Sequence, residues 1–166
     1  MRFTQTLYFV AAALASPSLA SAAKRQSPSD PVIMTTPAIV SPTAGTVMAA
    51  EVSTTFTIGV PEYSHCHPGY TPVDVYLLAA EPTASSINST YQFADYLHYF
   101  GSYVVTNIQG LPPMGTPPPT SLTMPSLGAE YEGQSVYLAI MQAIFDCPPN
   151  GYTEYAYDSK QMVYTQ

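Results

Sequence analysis

Two histidines flank a cysteine in Tyr63-Ser64-His65-Cys66-His67-Pro68, and the third histidine of the chain is His98. Histidines at i and i+2 fall on one side of an extended segment, and imidazole nitrogens suit copper or zinc. His65, His67 and His98 are therefore the candidate metal ligands. The same pattern also describes a disulfide-bearing loop with two solvated histidines, and no spacing marks a further ligand. A chain starting at Gln26 would lack the N-terminal histidine brace of a copper polysaccharide oxygenase. Cys147 has no Cys-His-Met grouping of the blue-copper kind around it. No cofactor is expected.

Glycoside hydrolysis needs two carboxylates facing one cleft. Glu130 and Glu132 are the pair that a strand would place on one face, although solvation is the default for both. No Gly-x-Ser-x-Gly elbow accompanies the histidines. The expectation is a protein that is not an enzyme. Tyrosine is the richer resource, with 14 in the chain. Tyr152, Tyr155 and Tyr157 form one cluster, and Tyr96, Tyr99 and Tyr103 another. A tyrosine ring offers a rigid, amphipathic face that stacks on sugar rings or anchors a protein partner. Cross-strand packing is the alternative use of such residues. Tyr152, Tyr155 and Tyr157 are the candidate binding surface.

Charge narrows the partners. The four basic residues are Arg2, Lys24, Arg25 and Lys160, set against eleven carboxylates. Beyond residue 25 one lysine faces all eleven acids, a net charge of −10. Affinity for phosphate backbones and anionic membranes comes mainly from Lys and Arg, so neither nucleic acid nor membrane insertion is expected. Arg2, the apolar run Leu7–Ala15 and the small residues Ala20-Ser21-Ala22 form a secretory signal pattern. Lys24-Arg25 is similar to a kexin-type dibasic processing site, which would expose Gln26. Residues 1–25 are thus read as leader, 26–37 as a Ser/Pro/Thr-rich lead-in and 38–166 as one domain. In an oxidising compartment Cys66 and Cys147 are expected to pair. Asn88-Ser89-Thr90 is the N-glycosylation sequon, which places Asn88 at the surface if it is used.

The elements that must carry these residues are short and apolar. Val52–Ile58 and Val73–Leu77 alternate with period two, and Ser135–Phe145 is apolar on both faces, as a central strand would be. Ala38–Val40, Tyr103–Val105, Ser121–Met124 and Tyr155–Thr165 are the other expected strands. Phe93, Tyr96, Leu97 and Phe100 recur at helical spacing, with Ser89 and Gln92 at capping-box distance, so a short helix before Gly101 is one reading of that segment. Six prolines between Leu111 and Pro125 predict an exposed loop. About seven short strands predict an all-β immunoglobulin- or fibronectin-like antiparallel sandwich.

Pro37-Ala38-Ile39-Val40-Ser41-Pro42-Thr43-Ala44-Gly45-Thr46-Val47, followed by an alternating strand, resembles the start of the Ser/Thr-rich fungal cell-wall proteins needed for β-glucan assembly. Val73–Leu78 and Ser135–Ile140 fit later strands of that domain. The chain has no Trp, the residue that commonly follows the first strand pair there. More remotely, the layout is similar to the necrosis-inducing secreted effectors of plant-associated fungi. Both resemblances imply a sandwich without a catalytic site and carry over no functional residue. They imply a secreted or wall-associated monomer that acts by binding a wall polysaccharide or an extracellular protein, in wall assembly or as an effector. The alternative is a carbohydrate-active or metal-dependent extracellular protein.

Overall fold

The structure, a computed structural model, describes residues 32–33, 38–59, 66, 68–108, 110–148 and 151–166. In chain order its strands are β1 (Val32–Ile33), β2 (Ala38–Ser41), β3 (Val47–Ala49), β4 (Ser53–Thr55) and β5 (Thr57–Gly59), then β6 (Tyr70–Leu78), β7 (His98–Thr106), β8 (Ser121–Thr123), β9 (Ser135–Cys147) and β10 (Tyr152–Thr165). One mixed sheet runs β1-β10-β9-β6-β7, and β3 also pairs with β10. β2 with β5, and β4 with β8, make two separate ribbons.

The all-β expectation holds. The finer expectation of about seven strands in an antiparallel immunoglobulin-like sandwich does not emerge from these pairings. The described residues form ten strands, and β1 and β3 both lie parallel to β10. Val52–Ile58 is also not one strand. β4 pairs with β8 and β5 with β2, with Phe56 between them, 2% exposed. Phe56 donates its N–H to Thr120 O at 2.9 Å, which turns the chain from one ribbon into the other.

β9 is a strand with both faces covered, which is why it carries no polar alternation. Val136, Leu138 and Ile140 join Val73, Val75 and Leu77 of β6 and Met162 and Tyr164 of β10 in the main core. Ile39, Met48, Phe56, Leu122 and Met124 close that core from the ribbons and β3. Asp158 fastens β2 across it: its Oδ2 accepts the Ile39 N–H at 2.8 Å and lies 3.3 Å from Lys160 Nζ. Tyr164 is fully buried, and its hydroxyl accepts the Leu127 N–H at 2.8 Å while donating to Pro125 O at 3.2 Å.

Pro72 sits inside β6, where proline is normally costly. It lies opposite Val104, whose N–H points away to Thr116 O at 2.7 Å, so Pro72 and Val104 exchange no hydrogen bond. The nitrogen of Pro72 therefore faces the β9 side, and the β6–β9 ladder stops one residue earlier, at Val73 and Gln142. At that end a buried polar knot replaces the ladder. Gln142 Nε2 donates to Thr71 Oγ1 and to Asn107 Oδ1, and Asn107 Nδ2 donates to Thr71 Oγ1 and to Pro68 O.

Candidate binding surface

The face of the sheet opposite the main core carries the aromatic residues, and a one-residue irregularity decides which ones. Val75 pairs with Gly101 but Tyr76 pairs with Tyr99, so Phe100 is an extra residue in β7. A one-residue slip flips side chains to the other face. Here it turns Phe100 onto the main core and brings Tyr99 beside Tyr76 on the opposite face. Gly101 supplies the backbone for the bulge, with φ of 129°.

The segment between β6 and β7 lies over this face. It is not the helix that the spacing of Phe93, Tyr96, Leu97 and Phe100 allowed; apart from a 3-10 turn at Ala84–Ser86 it is turns and bends. The reason is local. Asn88 Oδ1 accepts the N–H groups of Thr90 and Gln92 at 2.9 and 3.0 Å, and the Thr90 hydroxyl at 2.7 Å. Such side-chain capture of backbone donors competes with helix formation. Ile87 bridges to Phe93, and Tyr91 takes a left-handed backbone, φ 58°. A tyrosine in that region is strained, and the strain aims its ring at Tyr155 and Phe145, 5.3 and 5.7 Å away between centroids.

Phe93 is the pin of the arrangement. It is 2% exposed and stands edge-on to Tyr76 at 5.3 Å and to Tyr157 at 6.0 Å. Around it Tyr76, Tyr96 and Tyr99 form a triangle, with centroids separated by 5.0 Å (Tyr76 to Tyr99), 5.6 Å (Tyr76 to Tyr96) and 6.2 Å (Tyr96 to Tyr99). Tyr76 is buried beneath, whereas Tyr96 is 52% and Tyr99 39% exposed. At the other end Phe145 is 54% exposed beside Tyr91, which also packs on Tyr155. Tyr155 on β10 and Tyr99 on β7 are three strand spacings apart across the sheet, about 14 Å, and four residues apart along it, about 13 Å.

Asp74 is the carboxylate of this face. Tyr99 OH donates to its Oδ1 at 2.9 Å. Burial, together with the hydrogen bond and charge of Asp74, pushes the Tyr99 phenol up to about 12. Burial, and then the charge of Asp74, raises the Tyr76 phenol as well. Both rings therefore stay uncharged over the ordinary pH range.

The tyrosine clusters expected from the sequence are divided by the fold. Tyr155 and Tyr157 lie on the aromatic face, but the register shift between Tyr152 and Glu154 sends Tyr152 to the disulfide end, where its hydroxyl donates to the buried Glu154 Oε1 at 3.1 Å. Tyr96 and Tyr99 lie together, whereas Tyr103 packs on the main core and donates to Phe100 O at 3.0 Å. Tyr76, Phe93, Tyr91 and Phe145 were not singled out from the sequence. Phe145 and Tyr76 show there only as members of strand faces, and Tyr91 depends on a turn.

Cys66 and Cys147 form a disulfide with Cα atoms 5.0 Å apart. His65 and His67, like Lys24 and Arg25, lie outside the described residues. His98 is in β7, with its ring 4.7 Å from that of Phe100 on the core side. Among the described residues, the one grouping of metal-ligating types is Cys66, Cys147 and Glu154, and both sulfurs are spent in the disulfide. Glu130 and Glu132 are not on a strand: they belong to a 3-10 turn, Ala129–Tyr131, and its C-cap. Both are exposed, and Glu132 Oε2 accepts the Gln166 N–H at 2.6 Å. Asn88 is exposed. A cleft of about 470 Å³ opens between β5 and β7 under the proline loop, lined by residues such as Ile58, Val104, Leu111 and Pro118. Its lining includes no ionisable side chain. No helix among the described residues is long and apolar enough to cross a membrane.

No protein family, curated protein or solved structure matches the chain.

Proposed function

We propose that this is a secreted, non-enzymatic protein that acts by binding, with the aromatic face of its main sheet as the contact surface and a wall polysaccharide as the partner. The observation that carries the reading is the exposure of Phe145, Tyr96 and Tyr99 at 54%, 52% and 39% on one side of the main sheet, Phe145 and Tyr99 on its strands and Tyr96 on the segment that covers it. Each is backed by another aromatic ring. Exposed aromatic rings held rigidly lose little conformational entropy on binding, and stacking area becomes affinity. The disulfide supports an oxidising, extracellular setting.

The test is a pull-down of the purified protein on insoluble chitin and β-glucan, beside Tyr96→Ala/Tyr99→Ala. The protein is expected in the pellet, with the double variant left in the supernatant although still folded by circular dichroism. Retention that free oligosaccharide cannot compete would instead mark a protein-binding surface. Turnover of either polymer would overturn the non-enzymatic reading.

A further inference from the structure

We propose that the Tyr76–Tyr96–Tyr99 triangle with Asp74 is a site for a protonated amino group carried on a sugar ring, so that the preferred ligand is a deacetylated amino-sugar polymer rather than a neutral glucan. The inference rests on the sugar-binding reading above and deepens it.

Three observations converge on a cation. Asp74 is half-buried at the foot of the triangle, and the Tyr99 hydroxyl occupies its Oδ1. A carboxylate has about four lone-pair sites, so acceptor capacity remains beside the rings. The cationic side chain of the described residues is Lys160, which is engaged by Asp158, whereas nine carboxylates lie in the same residues. The negative charge of Asp74 thus has no lysine or arginine partner among the described residues.

The rings themselves favour the same charge. Tyr96 and Tyr99 are exposed, with ring planes tilted by 51° and centroids 6.2 Å apart, and both pack against the buried Tyr76, at 5.6 and 5.0 Å. A cation over a tyrosine face is held by the ring quadrupole. The phenols that face Asp74 remain neutral donors, as derived above. The other ionisable side chains of the covering segment are Glu81 and Asp95, both exposed carboxylates, and Tyr91, which packs on Tyr155; those of β7 are His98, against Phe100, and Tyr103, on the core side.

A ring bearing the charge also fits better than a flexible lysine side chain. The pyranose can stack on Tyr96 while its amino group meets Asp74, and the sugar has no four-carbon stem to immobilise. The nine-to-one excess of acids over lysine draws a polycation to the surface at low ionic strength.

The experiment uses the full secreted chain and two probes of equal length, a chitosan oligosaccharide and the corresponding fully N-acetylated oligosaccharide, titrated by calorimetry at mildly acidic pH. Tighter binding of the deacetylated probe by about tenfold is expected, the size of one partly screened ion pair. Asp74→Asn, which keeps the shape of the side chain, is expected to erase that preference, bringing the two probes to the same affinity. Tyr96→Ala, at an exposed position, is expected to weaken both probes.

Equal affinity for the two probes would overturn this proposal and leave the sugar-binding reading standing. Binding of neither would sink both. A preference that survives Asp74→Asn would place the effect in the diffuse surface charge and overturn the site. Competition by a lysine-rich peptide at the same concentration as chitosan would overturn the assignment to sugar.

Discussion

Replacing Phe93 by alanine separates the rings that support the surface from the rings that form it. Phe93 is 2% exposed and wedged edge-on between Tyr76 and Tyr157. Truncating a buried phenylalanine costs about 3–5 kcal/mol. The segment over this face is also held by backbone bonds, Leu97 N–H to Leu77 O at 2.8 Å and Ala94 N–H to Ser86 O at 3.2 Å, and it can settle partly into the space left behind. The lower end, about 3 kcal/mol, is therefore expected. For a domain of this size that corresponds to a fall in Tm on the order of 10 °C. Urea unfolding should show a lower midpoint with unchanged slope, because the area exposed on unfolding hardly changes. Phe93→Leu should recover more than half of the loss. A cost below about 1 kcal/mol would refute the reasoning, since it would mean that the 84–97 segment does not seal the face through Phe93.

Three further outcomes follow from the geometry. Removing the disulfide with Cys66→Ala/Cys147→Ala opens a loop of 81 residues and should cost about 4.5 kcal/mol in the chain-entropy model; non-reducing peptide mapping of the native protein should yield one Cys66–Cys147 peptide and no free thiol. Tyr164→Phe leaves Leu127 N–H and Pro125 O without their hydroxyl partner and should cost about 1–3 kcal/mol by urea unfolding. Phenolate absorbance should show Tyr99 titrating near 12, and Asp74→Asn should bring that step down toward the ordinary tyrosine value. A raised folded pKa means that the unfolded chain releases this proton first, so the stability present below about pH 10 is lost progressively as pH rises toward 12. An unchanged midpoint in Asp74→Asn would show that the Tyr99–Asp74 hydrogen bond does not form.

Long strands with a clear pattern were legible in the sequence, because burial on one or both faces imposes period two or continuous apolarity. β6, β9 and β10 follow the segments Val73–Leu77, Ser135–Phe145 and Tyr155–Thr165, and the inward set Val73, Val75 and Leu77 lies in the main core. The pairing of Cys66 with Cys147 followed from compartment and count. What was not legible depends on single residues acting over distance. The division of Val52–Ile58 rests on the Phe56 bond to Thr120, and β3 rests on a parallel register with the far end of β10. The helical spacing around Phe93 misled because Asn88 captures the donors that a helix would have used. The aromatic face was half visible: Tyr96, Tyr99, Tyr155 and Tyr157 were in view, but separating Tyr103 and Tyr152 from them required knowing two register shifts. Sequence proximity cannot reveal a bulge, and one bulge decides which tyrosines share a face.

The central claim is that the exposed tyrosines of this face are the contact surface, and ring-resolved NMR tests it most directly. With tyrosine rings and valine and leucine methyl groups isotopically labelled, adding a soluble wall oligosaccharide should shift the Tyr96 and Tyr99 resonances saturably and leave those of Tyr103 and Tyr164, on the core side, in place. Saturable shifts confined to Val104 and Leu111 in the cleft beneath the proline loop, or no shift at any ring, would contradict it.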